Sequence, residues 1–140
     1  MRYLLVSCSW IFCPLFFYAT LLAAATPLLR CDVTYAGTTH TVEARPVDDP
    51  YPVASVDIGG RFRFKPVMVG QGHQVEYIKL YSYLETRRQP VLVHMLRYLP
   101  PFPPPAPGSS MINLTGQQTL YAGPVERELQ YQCFLQGLQP

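Results

Sequence analysis

The side chains best placed to do chemistry in this chain are its cysteines. Cys8 and Cys13 fall inside an apolar N-terminal run, which leaves Cys31 and Cys133 as the pair available to a mature protein. Two cysteines in an exported chain are expected to join. Closing a loop of about 100 residues restrains the unfolded chain by roughly 4.7 kcal/mol on the chain-entropy account. The three histidines, His40, His73 and His94, stand singly, without metal-ligand spacing. Asp48-Asp49 beside Pro50 has the composition of a solvated acidic turn more than of a cation site. No glycine-rich phosphate loop, nucleophile elbow or paired-carboxylate signature occurs. The expectation is a protein that is not an enzyme and takes neither a metal nor a cofactor.

A second set of residues suggests binding. Arg61, Arg63 and Lys65 alternate with Phe62 and Phe64, and Tyr77, Lys79, Tyr81 and Tyr83 alternate with Ile78, Leu80 and Leu84. Pairing Val69 with His73 around a Gly70-Gln71-Gly72 loop places Phe64 opposite Ile78 and Phe62 opposite Leu80. The same register sets Arg61 against Tyr81, Arg63 against Lys79 and Lys65 against Tyr77. Rings beside cations offer flat stacking surfaces and hydrogen-bond donors, suited to sugar rings or to a partner's acidic surface. An equally physical reading is a cation-π ladder in solvent whose charges guard a strand edge. Pro66 fits that alternative, since proline in a strand is tolerated mainly at an edge or a bulge.

The elements that would position these residues are strands. Apolar residues alternate with period two, and after residue 26 no stretch sustains a helical period without meeting Pro or Gly. Cys31 to Ala36 and Thr39 to Arg45 form a predicted hairpin across Gly37-Thr38. A proline-punctuated loop over Pro46 to Pro52 precedes a short strand from Val53 to Ile58. The Arg61 to Val69 and Gln74 to Leu84 strands follow. Pro90 to Leu99 is apolar on both alternations, as expected of a central strand covered on both sides. Pro100 to Pro107 holds six prolines and cannot join a ladder, so it is expected to bridge two sheets as a stiff exposed loop, with a docking strip as the functional alternative. Short strands near Met111 to Leu114 and Gln118 to Ala122 lead to the last, Glu126 to Gln136. There Leu129, Tyr131, Cys133 and Leu135 share a face, as Cys31, Val33 and Tyr35 do in the first strand. Asn113-Leu114-Thr115 matches a glycosylation sequon, a motif common by chance.

Upstream of these strands, an uninterrupted apolar run from Tyr3 to Ala25 follows Met1-Arg2 and ends in Ala23-Ala24-Ala25. This is the pattern of a secretory signal cleaved after Ala25, with an uncleaved anchor as the alternative. Residues 1–25 are thus read as the signal and 26–140 as a single domain. Without Arg2 the chain keeps ten Lys and Arg against nine Asp and Glu, a balance that gives no footprint for nucleic acid. Seven or eight short strands in about 115 residues point to an all-β protein, a small antiparallel β-sandwich of immunoglobulin-like type, with a small β-barrel as the alternative. The functional expectation is a secreted or periplasmic interaction module presenting a strand edge or the Tyr/Arg face to another envelope or extracellular protein. A glycan-binding module using the same face is the first alternative, and a small secreted hydrolase or inhibitor the second. Contact with a membrane is expected only if the N-terminal segment stays in place.

Overall fold

The computed structural model describes residues 25–138. The expected signal segment and its cleavage site lie at or beyond the edge of the described residues. Among the described residues, ten strands and no helix build two packed sheets, and neither closes into a barrel. The strands are β1 (Leu28–Tyr35), β2 (Thr38–Ala44), β3 (Pro46–Val47), β4 (Val56–Ile58), β5 (Phe62–Gln71), β6 (Gln74–Leu84), β7 (Val91–Tyr98), β8 (Met111–Asn113), β9 (Gln118–Ala122) and β10 (Arg127–Gln136).

The first sheet runs β2-β1-β10, with β8 and β9 both pairing to the far side of β10. Its inward positions are those of the alternation. Leu29, Cys31 and Val33 on β1 and Leu129, Tyr131, Cys133 and Leu135 on β10 are all buried. Cys31 and Cys133 stand directly opposite each other and are joined by a disulfide. The bridge therefore links neighbouring strands of one sheet, whereas the conserved bridge of antibody domains spans the two sheets. A disulfide that staples a chain's two ends belongs to an oxidising environment. Among the described residues no helix is long and apolar enough to cross a membrane.

The second sheet runs β3-β5-β6-β7, with β4 pairing to the same side of β5 as β3. Phe62, Phe64 and Met68 of β5 and Ile78 and Leu80 of β6 are buried against the first sheet. Pro66 lies on an inner strand, not at an edge. It falls between β4, which pairs with Phe62 to Phe64, and β3, which pairs with Met68 and Val69. A residue without an N–H costs no ladder bond in that gap.

Two local expectations are corrected. The β5–β6 hairpin turns through Gly72-His73, not through Gly70-Gln71-Gly72, and Gln71 pairs with Gln74. Gly72 has a φ of +57°, which suits the glycine-first two-residue turn. An irregularity between Val69 and Gly70 then sets Phe62 opposite Leu84, Phe64 opposite Ser82 and Met68 opposite Ile78. Glycine is required at position 70, where a Cβ would lie 2.1 Å from the Gln74 carbonyl oxygen. From Phe62 to Val69 the register slid by four residues, so the side chains there kept their faces, whereas beyond the irregularity Val75, which alternation sets on the outer face with Tyr77, packs into the core.

The larger correction concerns Pro90 to Leu99. This strand, β7, pairs only with β6 among the described residues and forms the end of its sheet. Val91, Leu92, Val93, Met95 and Leu99 are 37% to 54% exposed, so it is not a covered central strand. The Pro100 to Pro107 segment does connect the two sheets, from β7 to β8, and Phe102 within it packs on the core.

Candidate interaction surface

The predicted Tyr/Arg row is assembled on the outer face of the second sheet, in a changed order. Arg63 opposes Tyr83 and Lys65 opposes Tyr81, while Lys79 opposes Val67 and Tyr77 opposes Val69. Arg61 precedes β5 and is exposed, outside the ladder. Most of the row is already engaged within the chain. Arg63 donates from Nε to Ser55 Oγ at 2.8 Å, from Nη2 to the Ser55 carbonyl at 3.3 Å, and from Nη1 to Glu85 Oε1 at 3.0 Å. The Lys65 ammonium lies 5.9 Å from the centre of the Tyr81 ring. Lys79 and Arg97 both approach the Tyr77 ring, at 5.1 and 5.6 Å. Tyr81 and Tyr83 stack on each other at 6.2 Å. Burial, and then the neighbouring Tyr81, raises the Tyr83 pKa above its ordinary value, so the Tyr83 ring stays a neutral phenol. The ring faces that a sugar would stack on are thus largely taken by cations and by one another.

Beyond the tyrosines the same face continues onto β7, where the exposed apolar side chains lie. Met95 opposes Tyr81 and Leu92 opposes Tyr83, so both share the outer face. The register shifts between Ser82, which opposes His94, and Tyr83, leaving Val93 as an extra residue on β7. A bulge of this kind breaks strict alternation and lets neighbouring residues reach solvent together. The strand is fixed from within by Leu96 and Tyr98, which pack on the core, and by His94, whose Nδ1 lies 3.1 Å from Tyr131 Oη. Burial raises the Tyr131 pKa far above that of a free phenol, with Tyr98 adding to the shift. His94 has this neutral phenol, not a carboxylate, as its hydrogen-bond partner. Ser82, its cross-strand neighbour, is buried and its hydroxyl makes no hydrogen bond. The cluster ties two sheets together and lacks the carboxylate that would activate a serine through a histidine.

The four sheet edges are built differently. Two are each made of two short strands laid along one inner strand, β3 and β4 on β5 and β8 and β9 on β10, none longer than five residues. A third, β2, exposes Thr38, Thr39, Thr41 and Glu43. Among the described residues only β7 combines length, an open ladder and several exposed apolar side chains. The Pro-rich segment adds a separate groove of about 610 Å³ lined by Val75, Pro101, Phe102, Ile112, Leu135 and Leu138 among others, with polar groups only from Ser110 and Gln136. Among the described residues no cluster of His, Cys, Asp and Glu has the grouping of a metal site. Asp48 and Asp49 cap their own turn, accepting the Asp49 and Tyr51 amides at 3.0 Å.

Compared with protein-family models, with curated proteins and with solved structures, the chain matches none. Its class is therefore fixed by architecture alone, a disulfide-closed β-sandwich with one long apolar edge strand. Sequence reasoning found the Tyr/Arg row and missed the edge beside it. The signal was present in Pro90, since proline is tolerated at the first residue of a strand and on edges.

Proposed function

We propose that this chain is an exported, non-enzymatic interaction module that receives an extended segment of another envelope or extracellular protein along β7. The observation that carries the reading is that β7, among the described residues, joins an eight-residue strand with one open side to several exposed apolar side chains, whereas Val56, Met111 and Tyr121 stand singly on edge strands of five residues or fewer. Adding a strand there satisfies the ladder and covers Leu92, Val93 and Met95 in one step. The N-terminal signal-like run and the disulfide support export to a secreted or periplasmic location. The cation-π ladder supports a rigid platform beside the edge more than a sugar-stacking site.

Site-specific photo-crosslinking tests the reading in the exporting cell. A photoreactive side chain placed at Met95 is expected to capture a discrete partner, and one placed at Thr39 on β2 is not. Equal capture at the two positions, or none at Met95 in a folded protein, would remove β7 as the docking strand.

A further inference from the structure

Building on the β7 edge as the docking strand, we infer that its occupant is an acidic extended segment, with apolar residues at its centre and carboxylates at its ends. The argument begins with where charge lies. From Thr86 to Val125 the sequence contains no Asp or Glu, yet it carries Arg87, Arg88 and Arg97. The whole chain has a net charge of only +2, and this segment carries three positive charges with no negative one.

The three arginines bracket the apolar strip. Arg87 and Arg88 lie exposed in the β6–β7 connection, immediately before Val91. That connection is held by Thr86, whose hydroxyl donates to the Gln89 carbonyl at 2.7 Å. At the other end Arg97 is exposed on the outer face, beside Lys79 and over Tyr77. Ion pairs among the described residues join Arg30 to Asp32 and Arg63 to Glu85, and none involves Arg87, Arg88, Arg97, Lys65 or Lys79. Glu85, the carboxylate nearest in sequence to the strip, is thus already neutralised by Arg63 at 3.0 Å.

This pattern selects among occupants. A second copy pairing through β7 would bring both sets of arginines to one interface, and like charges brought together there oppose association. A bilayer would accept the apolar strip and the arginines. It has no hydrogen-bonding groups in its hydrocarbon region for the open strand ladder, and unsatisfied backbone groups there are costly. A peptide strand with valine-like residues opposite Leu92, Val93 and Met95 and carboxylates opposite the arginines satisfies the ladder, the apolar strip and the charge together.

The test uses the full chain produced through an exporting host and two synthetic peptides. Both alternate valine with threonine, and one ends in glutamates while the other ends in lysines. Fluorescence anisotropy is expected to show the glutamate-ended peptide binding at least about tenfold more tightly, with the difference shrinking as salt rises. Arg87→Glu with Arg88→Glu and Arg97→Glu should reverse the preference, and circular dichroism checks that this variant is folded. Val93→Pro should weaken both peptides, which separates strand pairing from simple charge attraction. Equal binding of the two peptides to the wild-type chain would overturn the acidic preference and leave the edge reading standing. Binding of neither peptide, self-association through β7 in sedimentation, or capture by anionic vesicles in preference to either peptide would overturn the inference itself.

Discussion

β2 and β7 are the two long strands that end their sheets without a neighbour, and they treat that exposure in opposite ways. β2 turns polar groups outward, and its threonines bond back to β1. Thr41 donates to Asp32 at 2.8 Å, and Thr39 and Thr34 share a hydrogen bond at 2.8 Å. β7 offers Leu92, Val93 and Met95 to solvent and is flanked by arginines. An edge made of threonine and glutamate has little to gain from a new strand. An edge made of leucine, valine and methionine keeps an unfavourable exposure that an added strand would relieve, at about 25 cal/mol for each Å² of apolar surface covered. The same two-layer scaffold thus carries one finished edge and one unfinished one.

The comparison can be broken most forcefully at the finished edge's sheet. Replacing Cys31 and Cys133 with alanine is expected to lower unfolding free energy by up to about 4.7 kcal/mol, read from urea titration. Below that transition, partner binding at β7 should be unchanged, because the bridge lies in the opposite sheet. Failure of the folded double variant to bind would show that the two edges are coupled.

Gly70→Ala attacks the hairpin on which β7 is laid. The new Cβ must push aside the Gln74 carbonyl, and a loss of about 1 to 3 kcal/mol is expected in the same titration. A neutral outcome would mean that the tight approach at the bulge relaxes freely.

Tyr131→Phe cuts the tie between β7 and the first sheet. Loss of the His94 bond should cost about 1 kcal/mol at neutral pH. The sign at high pH follows from burial. Tyr131 resists ionisation when folded and ionises near its ordinary value of 10.0 when unfolded. Its contribution is therefore complete below pH 10 and is lost as pH rises beyond it. The Phe variant should lose stability less steeply above pH 10, by up to about 1.4 kcal/mol per pH unit. Parallel alkaline curves for the two proteins would contradict this account of Tyr131.

The smallest change in stability is expected at the unfinished edge. Leu92→Thr with Met95→Thr makes β7 resemble β2 and should alter melting by no more than about 0.5 kcal/mol per site. Capture of a partner should nevertheless fall sharply, measured by crosslinking from Leu99. A large loss of stability would show that these side chains support the core after all.

Much of the architecture was legible in the alternation of residues. Cys31, Val33, Leu129, Tyr131 and Cys133 all point where period two places them, and the disulfide follows from two such faces meeting. Register was not legible to the same degree. Pairings four residues apart keep the same faces, so alternation could not choose between Phe64 opposite Ile78 and Phe64 opposite Ser82. The close approach at Gly70 and the two-residue turn decided it. Position within the sheet was hidden for a different reason. Val91 to Leu99 is apolar on both alternations, and such a strand looks the same whether its cover lies in its own chain or in another. The Tyr/Arg row was visible as a row, but its internal engagement with Ser55 and Glu85 depends on residues that no spacing rule connects.

The pairing of β1 with β10 has a consequence for biosynthesis. β1 has β10, the described strand most distant from it in sequence, as its inner neighbour, across a separation of 102 residues at the disulfide. The β5–β6–β7 meander depends on near-sequence contacts and is complete by Tyr98, well before β10 is available to pair. A chain crossing a membrane N-terminus first would have its sticky strand laid down while the opposite sheet still waits for its centre. On the proposed reading, a partner already outside would meet β7 during translocation, before the domain has closed.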